Sequence, residues 1–274
     1  MLTKEEMDRI YQQAYLPDHL PDYVAAISDA QPFLHADYLC FVHRRHLIFI
    51  GYPLGNQGGD IVHAYESACK RFGPASVAIL APKIWLSKQT YEAQPTDTYY
   101  RLDLPMKDPS PAVDYMVRRA RKDLDIQRGK YGKEHRHIIK DFLSSHELSD
   151  AQKHIFQNIS LYLKRSTSAC LLEARKGKNL VAFTIADLGT ANYAFYMFNF
   201  RSKLLNIPGA SDLLFFEMVK MAQSEGKKAL NLGLGIHPGI RRFKEKWGGE
   251  PFLPHESAVL YNEGPHFAGL FNKL

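Results

Sequence analysis

Three cysteines in 274 residues, Cys40, Cys69 and Cys170, are too few and too scattered to staple a fold. No CxxC pair and no Cys/His ligand spacing occurs, so neither a zinc site nor any other metal is expected. Isolated thiols in apolar surroundings fit a reducing compartment and inert packing better than disulfides or a catalytic cysteine. No apolar run approaches the roughly twenty residues needed to cross a bilayer, so no transmembrane segment is expected. The start, Met1-Leu2-Thr3-Lys4-Glu5-Glu6, is polar and acidic, unlike a signal peptide. A cytoplasmic location is the expectation. A Walker loop, a dinucleotide glycine fingerprint and a Ser-His-Asp order are also missing, which removes the commonest nucleotide-binding and hydrolase classes. His35, His43, His46 and His63 are spread over the first half without ligand spacing.

What remains is ample for a core. Hydrophobic residues make up 45% of the chain and aromatics 12%, which excludes wholesale disorder and admits one large domain or two. Lys and Arg exceed Asp and Glu by 35 to 29, a formal charge of +6. Such an excess favours phosphate-bearing partners without choosing among nucleotide, CoA, tRNA and anionic lipid.

Along the chain, Thr3 with Glu6 forms a capping box for a first helix. Tyr38–His43 and His46–Gly51 read as a hairpin turning at Arg44-Arg45. Pro53–Gly59 is a loop, Asp60 caps a helix through Phe72, Gly73-Pro74 ends it, and Ser76–Ala81 is an apolar strand. Tyr99–Leu104 is another strand. Ala112 to about Gly129 reads as a basic helix, with a second basic stretch at Lys130–Lys140 and a further helix from Ser149 or Asp150 to Arg165. Acidic residues interleave there, so a solvated, salt-bridged face is the plainer reading. Ala169–Arg175, Leu180–Leu188 and Asn192–Phe200 make three strands joined by tight turns. Helix Ser211–Glu225, strand Lys228–Leu234, a short helix near Gly239–Lys246 and strand Ala258–Tyr261 follow. The first half echoes this order weakly. Residues 1–110 and 166–274 are therefore expected as two α/β domains, joined by a helical basic region over 111–165.

Chemistry concentrates after Phe200. The loop Asn206-Ile207-Pro208-Gly209-Ala210-Ser211 opens a helix whose first N–H groups lack intrahelical partners and whose dipole favours anions. Asn206, Gly209, Ala210 and Ser211 are thus candidate contacts for a phosphate-bearing donor, with Gly209 bare so that backbone can approach it. Asp212 in the same turn opposes an anion. In Gly239–Gly249, Ile240, Phe243 and Trp247 are spaced to share a buried face, leaving Arg241 and Lys244 on a neighbouring one. Lys244 at the cleft edge suits stabilisation of developing negative charge, assisted by Arg241 and Arg242. Glu173 and Asp187 on neighbouring strands are candidate general bases, or cross-strand partners of cations.

The run Ile-Pro-Gly-Ala-Ser-Asp, a strand, then Gly-Ile-Arg-Arg-Phe-Lys-Glu-Lys-Trp-Gly-Gly resembles the last domain of tandem Gcn5-related N-acetyltransferase-fold proteins. Two groups are similar: the Fem-type aminoacyltransferases, and the soluble C-terminal domain of phosphatidylglycerol lysyltransferases. Their Gly-x-x-x-Phe-Lys-x-x-(Phe/Trp)-Gly-Gly signature matches Gly239, Phe243, Lys244, Trp247, Gly248 and Gly249. Gly51-Tyr52-Pro53-Leu54-Gly55 and Tyr115–Arg128 look like corresponding segments of the second group. The resemblance implies two tandem α/β domains with mixed sheets and transfer of an acyl or aminoacyl group from acyl-CoA or aminoacyl-tRNA, a co-substrate rather than a tightly bound cofactor. The acceptor is an amine or hydroxyl on a small molecule, peptide or lipid headgroup. Two segments depart from the acetyltransferase pattern. Asn206 and Ser211 stand where ordinary members carry Gln or Arg and Gly or Ala, and Phe243 and Lys244 occupy the helix that often bears a catalytic Tyr. Both tilt toward the aminoacyl branch. The rival expectation is a tandem fold without catalysis that binds a ligand or nucleic acid.

Overall fold

The computed structural model describes residues 2–56, 59–87, 91–93 and 95–261. Residues 57 and 58 of the expected Pro53–Gly59 loop, and the expected second domain beyond Tyr261, lie outside the described residues. The chain divides into two compact units that exchange segments. Of the described residues, the first holds those up to Tyr99, Asp150–Arg165 and 251–261, and the second holds Tyr100–Ser149 and Ser166–Glu250. This division by contacts differs from the expected boundaries at 110 and 165. Helices in 150–165 pack on the first unit's own helices.

The first unit opens with α1 (Lys4–Gln13), whose Thr3–Glu6 capping box is present, and α2 (Pro21–Ser28). Strands β1 (Gln31–His35), β2 (Tyr38–His43) and β3 (His46–Ile50) form an antiparallel meander. Helix α3 (Ile61–Phe72) crosses over to β4 (Ser76–Ala81), which runs parallel to β3. Alternate residues Leu47, Phe49, Val77 and Ile79 face Ala64 and Ala68 of α3, and these small residues let the helix sit close to the sheet. A two-residue β5 (Glu92–Ala93) follows.

The division between units falls inside β6 (Asp97–Asp103). In the second unit α4 (Pro111–Arg121) stops earlier than the basic pattern suggested. Asp125–Arg128 is an edge strand, β7, paired with the strand that begins at Ala169. An edge strand's unpaired backbone captures this short polar segment, which local composition reads as helix. Helix α5 (Lys133–Ser144) completes this stretch. The single helix expected to Arg165 is two, α6 (Asp150–Gln157) and α7 (Ile159–Arg165). They are broken at Asn158, whose amide donates to the His154 carbonyl.

Strands β8 (Ala169–Lys176), β9 (Asn179–Asp187) and β10 (Tyr193–Arg201) form the second meander. Helix α8 (Ala210–Ser224) leads to β11 (Ala229–Leu234), parallel to β10. Helix α9 (Pro238–Lys246) precedes β12 (Glu250–Tyr261), which pairs antiparallel with β4 and carries β5 beside it. In the second unit the strand order is β6-β11-β10-β9-β8-β7. Its core sets Val113, Val117 and Ala120 of α4 and Leu214, Phe215 and Met218 of α8 against the alanine-lined sheet face of Ala174, Ala182, Ala186 and Ala194. No described helix is long and apolar enough to cross a membrane.

Candidate functional site

The two parallel pairs differ in how far they stay zipped. β3 and β4 pair continuously from His46↔Ser76 to Ile50↔Leu80, and the Gly51 N–H extends the ladder to the Leu80 carbonyl. β10 and β11 pair only at Tyr193↔Ala229, Ala194↔Leu230 and Phe195↔Asn231, although β10 continues to Arg201 and β11 to Leu234. A bulge between Tyr196 and Phe198 bends β10 where the two part. The carboxyl ends of parallel strands are where α/β folds hold ligands, and only this pair separates there.

The crossover helices differ in the same sense. Asp60 caps α3, its carboxylate accepting the Val62 and His63 N–H groups at 3.0 Å, so an anion already occupies that N-terminus. Helix α8 begins at Gly209 with no side-chain cap. Gly209 itself is explained by packing, not by ligand approach as expected. It has φ 82°, and a Cβ there would lie 2.5 Å from the Met116 carbonyl oxygen of α4. Ala210 is also buried. Ser211 donates to Asn199 Oδ1 at 2.7 Å, and the buried Asn199 Nδ2 has no partner among the described residues. Asn206 is exposed.

Asp212 does not face an incoming anion. Its Oδ1 accepts Trp247 Nε1 at 3.0 Å and lies 2.5 Å from Lys246 Nζ. The end of α9 therefore docks on the first turn of α8, and the two segments singled out in the sequence do meet. Phe243 stacks on Tyr196 at 6.2 Å and meets Phe215 edge-on at 5.6 Å, as part of the second unit's core.

His237 caps α9, its Nδ1 accepting the Gly239 and Ile240 N–H groups, so the helix starts at Pro238 and not at Gly239. Its end is a Schellman closure. The Gly249 N–H reaches the Lys244 carbonyl at 2.9 Å, the Gly248 N–H reaches the Glu245 carbonyl at 2.9 Å, and Gly248 has φ 83°. Lys244 is 3% exposed, not at the cleft edge. Its ammonium donates to the Leu234 carbonyl at the end of β11 at 2.5 Å and lies over the Tyr100 ring at 5.5 Å. The cation delivered to the first turn of α8 is Lys246. Sequence spacing missed it because Lys246 follows Lys244 by only two positions and points to a different side of the helix. Arg241 is half-buried and Arg242 exposed.

Glu173 lies elsewhere. It belongs to the sheet face covered by α5, opposite the face that carries Leu172 and α8. Its carboxylate accepts Arg175 Nε at 2.6 Å and Gln127 Nε2 at 2.9 Å, with His135 Nε2 3.1 Å away. Burial works to raise its pKa, but the Arg175 and Gln127 hydrogen bonds hold it below the usual carboxylate range. Asp187 is taken up by Ser168 and by the Gly189 N–H. The structure does not bring either acid together with Lys244. No array of three or more metal-ligating side chains occurs among the described residues. Burial pushes the Cys40 and Cys170 thiols up to about 12 and about 11, and no described cysteine is in a disulfide.

No family model and no curated protein matches the sequence. Solved structures do match. FemX aligns over 96% of this chain and 97% of its own at 12% identity and TM-score 0.61. The C-terminal domain of a putative lysylphosphatidylglycerol synthetase from Agrobacterium fabrum aligns over 94% and 90% at 15% identity and TM-score 0.61. A conserved protein of unknown function from Bacteroides thetaiotaomicron aligns over 92% and 90% at 12% identity and TM-score 0.62. A tandem acetyltransferase-fold protein from the clavulanic acid pathway also matches, at TM-score 0.50. The chain thus has the tandem Gcn5-related acetyltransferase fold, an α/β architecture repeated twice.

Proposed function

We propose that the second unit transfers an acyl group, aminoacyl included, from an activated phosphate-bearing donor to an amine or hydroxyl. The observation that carries this reading is the parting of β10 and β11 beyond Phe195/Asn231, beside a helix N-terminus with no side-chain cap. An acyl group held there lies on the path between α8 and α9. The acceptor's lone pair attacks the donor carbonyl carbon, and the ester or thioester bond breaks. The acceptor's proton passes to the departing hydroxyl or thiol. Lys244 contributes a fixed positive charge whose position is set before any ligand arrives, the arrangement that lowers a barrier most when an oxyanion develops. Arg241 and Arg242 add positive potential at the rim. Glu173 has no part in this scheme.

The departures at Asn206 and Ser211 favour aminoacyl-tRNA over acyl-CoA. Calorimetric titration separates the two. Micromolar CoA binding supports an acyl-CoA enzyme, whereas its absence together with single-turnover transfer from aminoacyl-tRNA supports the other donor. Transfer from neither donor to any amine sinks the reading.

One observation favours a second reading, a binding module without turnover. Lys244 is buried, and its ammonium already donates to the Leu234 carbonyl, so part of its hydrogen-bonding capacity is spent on backbone before any ligand arrives. Salt-dependent tRNA binding without transfer is the outcome that reading requires.

A further inference from the structure

Asp212 sits in the first turn of α8, where a carboxylate is expected to serve the helix dipole or to obstruct an anionic ligand. It does neither. It is 6% exposed, and its Oδ1 receives both the Trp247 indole N–H and the Lys246 ammonium, two groups from the end of α9. Trp247 is itself 3% exposed, wedged against Phe215 at 4.9 Å. The Trp247 and Gly249 N–H groups both donate to the Lys244 carbonyl, at 3.1 and 2.9 Å. The chain of contacts therefore runs from the Asp212 carboxylate to the Trp247 indole, and through the Trp247 backbone to Lys244.

We propose that Asp212 is a positioning residue for Lys244: by clamping the Trp247 indole it fixes the last turn of α9, and with it the direction of the Lys244 side chain. A buried carboxylate accepting an indole N–H and an ammonium makes charge-assisted bonds of defined direction, which a packing contact alone does not supply. Lys246, 38% exposed at its side chain, neutralises the carboxylate and leaves the indole bond as the directional element. The consequence for turnover rests on the transfer reading, whereas the clamp itself does not.

The test labels lysines with a small amine-acetylating reagent and reads each site by peptide mass spectrometry, in the full chain. Lys227, 9% exposed at its side chain and bonded to the Thr190 carbonyl, is the internal control for an intact fold. In Asp212→Ala, Lys244 labelling is expected to rise at least about tenfold, the opening expected from losing one charge-assisted bond, with Lys227 unchanged. In Asp212→Asn the side-chain carbonyl still accepts the indole, and Lys244 stays protected. Equal protection of Lys244 in wild type and Asp212→Ala overturns the proposal. Should Asp212→Ala also expose Lys227, Trp247→Phe decides, since it removes the indole donor and keeps the ring: raised Lys244 labelling supports the clamp, and unchanged labelling refutes it. Where a donor and acceptor are in hand, Asp212→Ala is expected to lower kcat about tenfold with the donor KM held, and Asp212→Asn to restore it. The labelling pattern without turnover in any variant or in wild type leaves the clamp standing and removes the transfer reading alone.

Discussion

The Gly249 N–H donates to the Lys244 carbonyl at 2.9 Å, and a Cβ on Gly249 would stand 2.9 Å from that same oxygen and 2.6 Å from the Leu232 methyl. The glycine pair after Trp247 is therefore part of how Lys244 is held. Gly249→Ala forces backbone and Leu232 apart, whereas Gly248→Ala strains a residue at φ 83° but meets only Leu232's neighbour strand residue Leu102 at 3.7 Å. Both are expected to destabilise by about 1–3 kcal/mol, Gly249→Ala the more, in urea unfolding. Equal stability of Gly249→Ala and wild type would refute the packing argument.

Gly209 and Gly226 make a matched pair for separating strain from crowding. Both have positive φ, 82° and 72°, but a Cβ at Gly226 meets nothing within 4 Å and one at Gly209 strikes the Met116 carbonyl at 2.5 Å. Gly226→Ala is expected to cost about 1 kcal/mol, and Gly209→Ala at least about 1 kcal/mol more because α4 must move off α8. Thermal unfolding of the two variants side by side checks the difference.

Lys244→Ala removes a positive charge and leaves the Leu234 carbonyl without its ammonium. Turnover is expected to fall about a hundredfold with donor binding little altered. Purified-enzyme kinetics with the donor held above KM measure this, and an unchanged kcat removes Lys244 from the mechanism.

Ile236, 57% exposed, adopts φ 54°, a left-handed conformation that β-branched residues rarely take. Ile236→Asn suits that conformation and loses little burial, so it is expected to stabilise by about 1 kcal/mol. A lower melting temperature than wild type would show that Ile236 is held there by contacts worth more than the strain.

In the first unit, His19 is fully buried, its Nε2 donating to the Tyr52 carbonyl at 2.9 Å. Burial lowers its pKa to about 4 from the ordinary 6.5, with the Tyr52 bond acting in the opposite direction. The native state thus binds fewer protons than the unfolded chain, so stability is full above about 6.5 and is lost as pH falls toward 4. The loss attributable to His19 is expected to reach about 3 kcal/mol below that range. Urea unfolding from pH 7 to 4 should show a shallower decline in His19→Gln than in wild type.

Much of the architecture was legible in local pattern. The capping box at Thr3, the Asp60 cap, the β2–β3 hairpin, the second meander and both crossover helices follow from alternation, helical spacing and turn residues, each of which acts over a few neighbouring positions. Short-range pattern failed at Asp125–Arg128, where a basic run reads as helix and the edge of β8 makes it strand, and it carries no sign that β12 returns to pair with β4.

The residues themselves determined that a lysine, a tryptophan and two glycines stand in a helix-ending segment after a parallel crossover, because spacing and φ requirements are written into single positions. Tertiary packing alone decided where each charge points. Lys244 turns inward to a backbone carbonyl, Lys246 meets Asp212, and Glu173 falls on the opposite sheet face. Side-chain direction depends on which strand ends separate and which helix docks beside them, and those are relations between segments far apart in the chain.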